Sequence, residues 1–462
     1  MPAYVRSVGV GVPSLRLDVA EAAAAWGERA RGQVAACAAD EDVLTLSWTA
    51  GAAALTAAGA GGSDVDGLWW GTTRPPYAEG PSHATLAASL GLSAHASGAL
   101  TTGSAHAGME ALLGAWDAVA AGSVRTALVV TADAPLPALG STYERRAGAG
   151  AAAVLLTSEA GAAALVSRAT RTEPVLDRYR GDLEPHTRDT YDGRLFREQV
   201  FVPILNELGA ALAAGGKIRR WSLPEPDGRL GRAVAKRLGA TLASDVVDDA
   251  LGDTGAAAAL LGATAALGTP GRVAVVGYGG GRASGVTLDV TVPVPGADVL
   301  DSMLLRGRPA SYAEVLRARG QLVPGGETVP MGVPPGSAGF IRGAREMLQL
   351  LGARCVDCDM VNTPPSVHPH CIGCGGTKFT DVPLARRGVV HTFVVNQAMP
   401  APFVAPLPLA VLDLEDGARV MLQVTGDAGD LAIGDDVKLV LRRYALERGA
   451  PVYGWKAERV AA

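Results

Sequence analysis

Hydrophobic positions recur along this chain in two rhythms. Up to about residue 320, short apolar runs alternate with longer stretches in which small and aliphatic residues return every three or four positions. The runs "YVRSVGVGVP", "VDGLWWGTT", "TALVVTADAP" and "AGAGAAAVLLTS" predict strands, and "TALVVTADAP" is apolar enough to be covered on both faces. The stretches "EDVLTLSWTAGAAALTAAG", "HATLAASLGL" and "MEALLGAWDAVAAG" predict helices, the last closed by Gly122. A second series follows. It begins with a strand, "GAAALVSRATR", and a helix of about five turns, "FREQVFVPILNELGAALAAG". Two more helices, "GRAVAKRLGA" and "TGAAAALLGATAAL", precede a strand, Gly-rich turn and strand in "GRVAVVGYGGGRASGVTLDVTV". Each series opens with a strand and carries a central helix that starts among small residues, over 104–118 and 254–266. That order points to an α/β fold with an internal duplication, its halves spanning 1–165 and 166–322.

The pattern then changes. "QLVPGGETVPMGVPPGSAGF" is a Pro- and Gly-rich linker, and "IRGAREMLQLLGARC" predicts a short amphipathic helix, so 323–350 reads as linker and helix. A cysteine cluster occupies 351–379. Beyond it, "GVVHTFVVNQ", "LPLAVLDLEDGARVMLQVTG" and "DDVKLVLRRYA" alternate in the β manner, with turns at Asp416-Gly417 and Gly434-Asp435. About five short strands in this stretch predict a small barrel over 380–462.

Composition narrows the function classes. The 462 residues are 48% hydrophobic and 19% charged, as in a globular chain, and a net charge of −5 gives no support to nucleic acid as partner. No apolar run suggests a membrane span, and the N-terminal stretch reads as a strand rather than a leader, so a cytoplasmic setting is expected. Four of the five cysteines are grouped as Cys355-x2-Cys358-x12-Cys371-x2-Cys374. Two paired knuckles offer four thiolates to a tetrahedral Zn²⁺ and leave no open position, which predicts a structural ion. His368 and His370 between the knuckles are surplus to it. A ribbon followed by a barrel also suits single-strand nucleic acid. Against that, the barrel's aromatics are few and its basic residues come as the isolated pairs Arg386-Arg387 and Arg442-Arg443.

The stretch "LTTGSAHAGMEALLGAW" (100–116) looks like a loop that presents one position at a helix start. With "ADEDVLTLSWTAGAAAL", "WWGTTRPPYAEG", "RRAGAGAAAVLLT", "LPEPDGRLGRAVAKRLG", "GDTGAAAALLG", "VVGYGGG" and "SYAEVLRARG", it resembles the thiolase superfamily, and within it the hydroxymethylglutaryl-CoA synthase branch. The resemblance implies a duplicated five-layer αβαβα fold, a homodimer, and action on acyl-CoA or acyl-carrier-protein thioesters. The last 120 or so residues resemble the rubredoxin-like zinc-ribbon and OB-fold domain that accompanies acyl-CoA thiolases, steroid side-chain aldolases and C-acyltransferases.

The likeness breaks at the positions where the synthases carry their cysteine, glutamate and histidine. These fall on Ala105, on Thr73, and on or beside Pro224. Alanine cannot attack a thioester, and Cys37 lies in an unrelated segment, so no acyl-cysteine is expected. What remains is backbone: the resemblance implies that free N–H groups around Ser104 and Ala105 at a helix start meet the thioester, with Gly279 and Gly280 facing the same pocket. Candidate acid or base groups are His106, Glu79, Tyr77, Tyr143 and His186, each of which also fits an ordinary packing or surface role. Lys217 and Arg220, beside Arg219, form a basic cluster suited to CoA phosphates, as do Arg232, Lys236 and Arg237. Two functions stay open. One is an enzyme making or breaking a C–C bond (aldol or Claisen type) or transferring the acyl group; the other is a non-catalytic scaffold that binds acyl thioesters. An open pocket with an acid facing in favours the enzyme, and a plugged one the scaffold.

Overall fold

The structure is a computed structural model. It describes residues 2–190, 192–323, 337, 343–344, 346–399, 405–426, 429, 431–447 and 449–460. The chain forms two compact units, Met1–Val323 and Pro324–Ala462.

In its first half, unit one runs β1 (Tyr4–Gly11), β2 (Leu15–Asp18), α1 (Val19–Ala25), β3 (Gln33–Ala36), α2 (Val43–Ala57) and β4 (Gly67–Gly71). It continues with α3 (Ser82–Ser89), β5 (Ser97–Thr101), α4 (Ala107–Ala121), β6 (Thr126–Asp133) and β7 (Gly150–Thr157). The second half has β8 (Ala163–Thr172), α5 (Gly193–Phe196), α6 (Val202–Ala213), β9 (Arg220–Ser222), α7 (Leu230–Leu238) and α8 (Asp245–Leu251). Then come α9 (Ala258–Leu267), β10 (Gly271–Gly279) and β11 (Arg282–Val290). The strand order β5-β4-β6-β7-β1 continues through β8 into β11-β10-β9. The halves mirror each other, with β4, β6, β7 and β1 answered by β9, β10, β11 and β8. Even β5 has a trace of a counterpart, since Leu242 bridges Trp221 in parallel beside β9.

Helix packing divides this unit into five layers. α2 lies on β1, β6 and β7, and α6 lies on β8 and β11. α4 touches β4, β6 and β10, while α9 touches β7, β9 and β10, so both sit between the half-sheets. α9 has almost no solvent face there, every residue from Ala259 to Leu267 except Ala265 being buried, whereas α4 keeps Asp117 exposed. Small residues let these elements touch through their backbones. A Cβ on Gly108 would lie 2.0 Å from the Ala256 carbonyl oxygen, and one on Gly71 would lie 2.5 Å from that of Ala107.

Two elements differ from expectation. The five-turn helix predicted from Phe196 is interrupted by a π-helical segment at Arg197–Phe201 before α6 begins. Pro203, at the start of α6, has no N–H with which to continue the ladder. The predicted helix 341–355 lies in part outside the described residues, and its end, Leu351–Cys355, is a strand. Leu350, at φ 54°, turns the chain out of helical geometry there.

Within unit one, β12 (Arg308–Pro309) closes a small sheet with β2 and β3; the strands of unit two begin with β13 (Leu351–Cys355), β14 (Val361–Asn362) and β15 (Phe379–Pro383). These three form a sheet that carries the cysteine knuckles. β16 (Arg387–Asn396), β17 (Leu407–Leu414), β18 (Arg419–Thr425), β19 (Asp436–Glu447) and β20 (Ala450–Arg459) close into a barrel in the order β16-β17-β18-β20-β19. Among the described residues no helix is long and apolar enough to cross a membrane.

Candidate functional site

β4, β5 and β6 are parallel, as are β9 and β10. Their C-terminal ends, with the N-terminal ends of α4 and α9, frame a cavity of about 1100 Å³. This is where α/β folds place ligands, because helix N-termini and strand ends converge there. Thr73, Ala105 and Pro224, the positions of the missing glutamate, cysteine and histidine, all line this one cavity.

Ser104 and Ala105 lie on its wall, just ahead of α4. The Ser104 hydroxyl accepts the His106 N–H at 3.2 Å, and its carbonyl accepts the Ala107 N–H at 3.0 Å. The Ala105 N–H has no acceptor among the described residues. Gly279 seats this loop: a Cβ there would lie 2.8 Å from the Ala105 nitrogen and 2.7 Å from that of His106. The adjoining turn is less free than expected, because the Gly280 N–H donates to Asp177 at 2.7 Å.

Thr73 is also committed. Its N–H and its hydroxyl each donate to Oδ1 of Asp133 at 2.8 Å, and the Thr72 hydroxyl joins them at 3.0 Å. Oδ2 of Asp133 accepts the Ala256 N–H at 2.7 Å, which ties the two halves of the unit together. Full burial pushes the Asp133 carboxyl up to about 6, even against these donors.

Of the acid–base candidates, Tyr143 lines the cavity. The Arg178 guanidinium stacks 3.4 Å above its ring, and burial holds the phenol above its usual range. Arg178 in turn pairs with Asp253 at 2.5 Å and Asp189 at 3.4 Å, and those carboxylates keep it firmly protonated. His106 is fully buried but is not on the wall. The chain has entered helical register there, so its Nδ1 faces Glu110, one turn on, at 3.3 Å, and Glu110 pairs with Arg282 at 2.6 Å. Burial pushes its imidazole below the usual range. Glu79 is exposed, Tyr77 and His186 are half-buried, and none of the three lines the cavity.

The predicted phosphate cluster is a correction. Lys217 and Arg220 do not line the cavity. They stand at the start of β9, whereas the chain reaches the cavity only beyond the strand's far end, at Pro224 and Glu225. Arg29, Arg31, Arg74 and Arg180 line the cavity instead, and Arg29 and Arg31 are exposed without an ion pair among the described residues. Sequence reasoning also missed Asp177, Arg178, Asp253 and Tyr278. Asp253 had one available signal, a charge in a Gly-flanked loop just ahead of a wholly apolar helix. The Tyr278 hydroxyl is buried without a partner, its ring packed on Phe196 and Phe201.

In the ribbon, the four cysteine sulfurs lie within 4.8 Å of one another, with 3.6 Å between Cys355 and Cys374 and 3.5 Å between Cys358 and Cys371. Four thiolates around a tetrahedral metal at about 2.3 Å stand about 3.8 Å apart, so this donor set fits a single ion.

Comparison with known proteins follows the same division. The chain is 28% identical over 300 residues to the hydroxymethylglutaryl-CoA synthase of Methanopyrus kandleri, covering 60% of this chain and 84% of that one. The solved structure of MvaS in complex with 3-hydroxy-3-methylglutaryl coenzyme A superposes with a TM-score of 0.62 at 19% identity, over 73% of this chain and 95% of that one. The family model for the ChsH2 C-terminal OB-fold domain matches residues 381–442. A DUF35 domain-containing scaffold protein of Methanocaldococcus jannaschii is 33% identical over 121 residues, 25% of this chain and 84% of that protein. The first unit therefore has the thiolase fold in its hydroxymethylglutaryl-CoA synthase-like form. The chain fuses it to a C-terminal region that belongs to the DUF35/OB-fold family.

Proposed function

We propose that unit one binds an acyl-CoA or acyl-carrier-protein thioester in the 1100 Å³ cavity and makes or breaks a C–C bond of aldol type without forming an acyl-enzyme. The observation that carries this reading is an open cavity in which Ala105 replaces the nucleophile while the unpaired Ala105 N–H remains at a helix start. A thioester carbonyl within reach of that N–H has its enolate stabilised by the donor and the helix dipole, and no covalent step is needed. Tyr143 supplies a phenol to the aldol oxygen, and Arg29 and Arg31 meet the CoA phosphates at the mouth. Acyl transfer is the lesser alternative, since the missing thiol removes the carrier for a two-step route.

The second reading, a scaffold that binds acyl thioesters without turnover, is favoured by the likeness of the C-terminal region to a scaffold protein. Incubation with a panel of acyl-CoAs and β-hydroxyacyl-CoAs, followed by mass spectrometry of the products, separates the two. Cleaved or condensed thioesters support the enzyme; binding with no product on any substrate supports the scaffold. In the ribbon, the four cysteines hold one Zn²⁺ as a structural ion, because four thiolates leave no site for substrate. Association of unit one as a homodimer completes the proposal, and light scattering checks it.

A further inference from the structure

Among the cavity-wall acids that are not exposed, Asp177 differs from Asp189, Glu225 and Asp253. Asp253 and Asp189 share Arg178 as counter-ion, and one oxygen of Glu225 accepts the Arg232 N–H while the other is sealed in protein without a partner. Asp177 is only 8% exposed, makes no ion pair among the described residues, and lines the cavity. The Gly280 N–H anchors one of its oxygens at 2.7 Å. The turn that holds it is also the turn pressed against the vacant nucleophile position. A Cβ on Gly280 would lie 3.0 Å from that of Ser104, and one on Gly279 would lie 2.8 Å from the Ala105 nitrogen. One backbone turn thus fixes a carboxylate relative to the free Ala105 N–H.

We propose that Asp177 is the base that removes the α-proton of the bound thioester, an inference that rests on the thioester reading above. The Cα–H bond breaks and the proton passes to the Asp177 carboxylate. The bonding pair moves onto the thioester oxygen as an enolate facing the Ala105 N–H. The α-carbon then attacks the carbonyl carbon of the acceptor, and the resulting alkoxide takes a proton from Tyr143. Water restores the Tyr143 proton and accepts the one held by Asp177. Cleavage is the same sequence reversed.

Two ionisable groups face Asp177, the Arg178 guanidinium, which favours its charged form, and the Tyr278 phenol on β10. Burial outweighs Arg178 and the backbone donors and lifts the carboxyl above its ordinary range. Activity requires the ionised form, so the rate falls as pH drops through that raised value.

The test uses the full-length protein with acetyl-CoA and propionyl-CoA in D₂O, following loss of the α-proton signals by NMR. Wild type is expected to exchange these protons, with an acid limb above the usual carboxylate range. Asp177→Asn is expected to exchange at least about 100-fold more slowly while its calorimetric affinity for acetyl-CoA stays within about threefold, and Asp177→Glu to recover part of the rate. Wild-type exchange in Asp177→Asn, or an unchanged acid limb, overturns the role of Asp177 and leaves the thioester reading standing. Binding with neither exchange nor turnover in wild type overturns both. Should Asp177→Asn fail to fold, Asp177→Glu and the wild-type profile decide: a displaced limb in Asp177→Glu supports the assignment, and a wild-type rate flat across the acid range refutes it.

Discussion

Gly279→Ala probes the contact on which the site depends. The added carbon would lie 2.7 Å from the His106 nitrogen and 2.8 Å from the Ala105 nitrogen. Both are backbone atoms at the entrance to α4, so relief requires moving the loop or the end of β10 by several tenths of an ångström. Overpacking of this kind costs about 1–3 kcal/mol, which in a unit of this size lowers the melting temperature by roughly 1.5–4.5 °C. The displacement falls on the N–H assigned to the thioester oxygen, and turnover of a responsive substrate is expected to drop about 100-fold. Gly61→Ala is the control, since its Cβ meets nothing closer than 3.7 Å, and it should change stability by less than about 0.5 kcal/mol. Calorimetric melting and turnover are measured on both variants. Wild-type melting and turnover in Gly279→Ala would refute the seating of Ala105 on Gly279.

Other outcomes follow from the same geometry. The Asp133 carboxyl is raised on folding, so its contribution to stability is full below about 4 and is lost as pH rises through about 6, a swing of about 3 kcal/mol. Chemical denaturation across this range should show that fall in wild type, and a flatter profile in Asp133→Asn. Arg178→Ala strips Asp253 and Asp189 of their counter-ion and is expected to cost about 3–5 kcal/mol by the same assay. Elemental analysis should find one zinc per chain, lost in Cys371→Ser with earlier melting of the ribbon; a metal-free wild-type protein with an intact ribbon would refute the zinc assignment.

Local pattern carried most of the fold. β1, β6, β7 and α2 were legible because their apolar residues recur within one element, and the four cysteines because their spacing is itself local. α8 and β9 were missed, being short and lacking a clear period. The site was legible where it sits on a helix start or a glycine turn, as at Ser104, Ala105, Gly279 and Gly280. It was misread where orientation matters more than position. His106 adjoins Ala105 in sequence, yet entry into helical register swings its ring toward Glu110. Lys217 and Arg220 are clustered charges, but the direction of β9 puts them at the wrong end of the sheet. Asp177 and Arg178 lie in "PVLDRYRGD", a stretch without a period. They reach the cavity because the chain beyond β8 is bonded to the β10–β11 turn, with the Glu173 N–H donating to the Gly281 carbonyl at 2.7 Å.

The central claim is thioester C–C chemistry with no acyl-enzyme. Intact-protein mass spectrometry during turnover of a responsive β-hydroxyacyl-CoA tests it most directly. The expected result is a cleaved or condensed thioester in solution while the protein keeps its unmodified mass at every time point. An acyl adduct that forms and decays at the rate of turnover would contradict it.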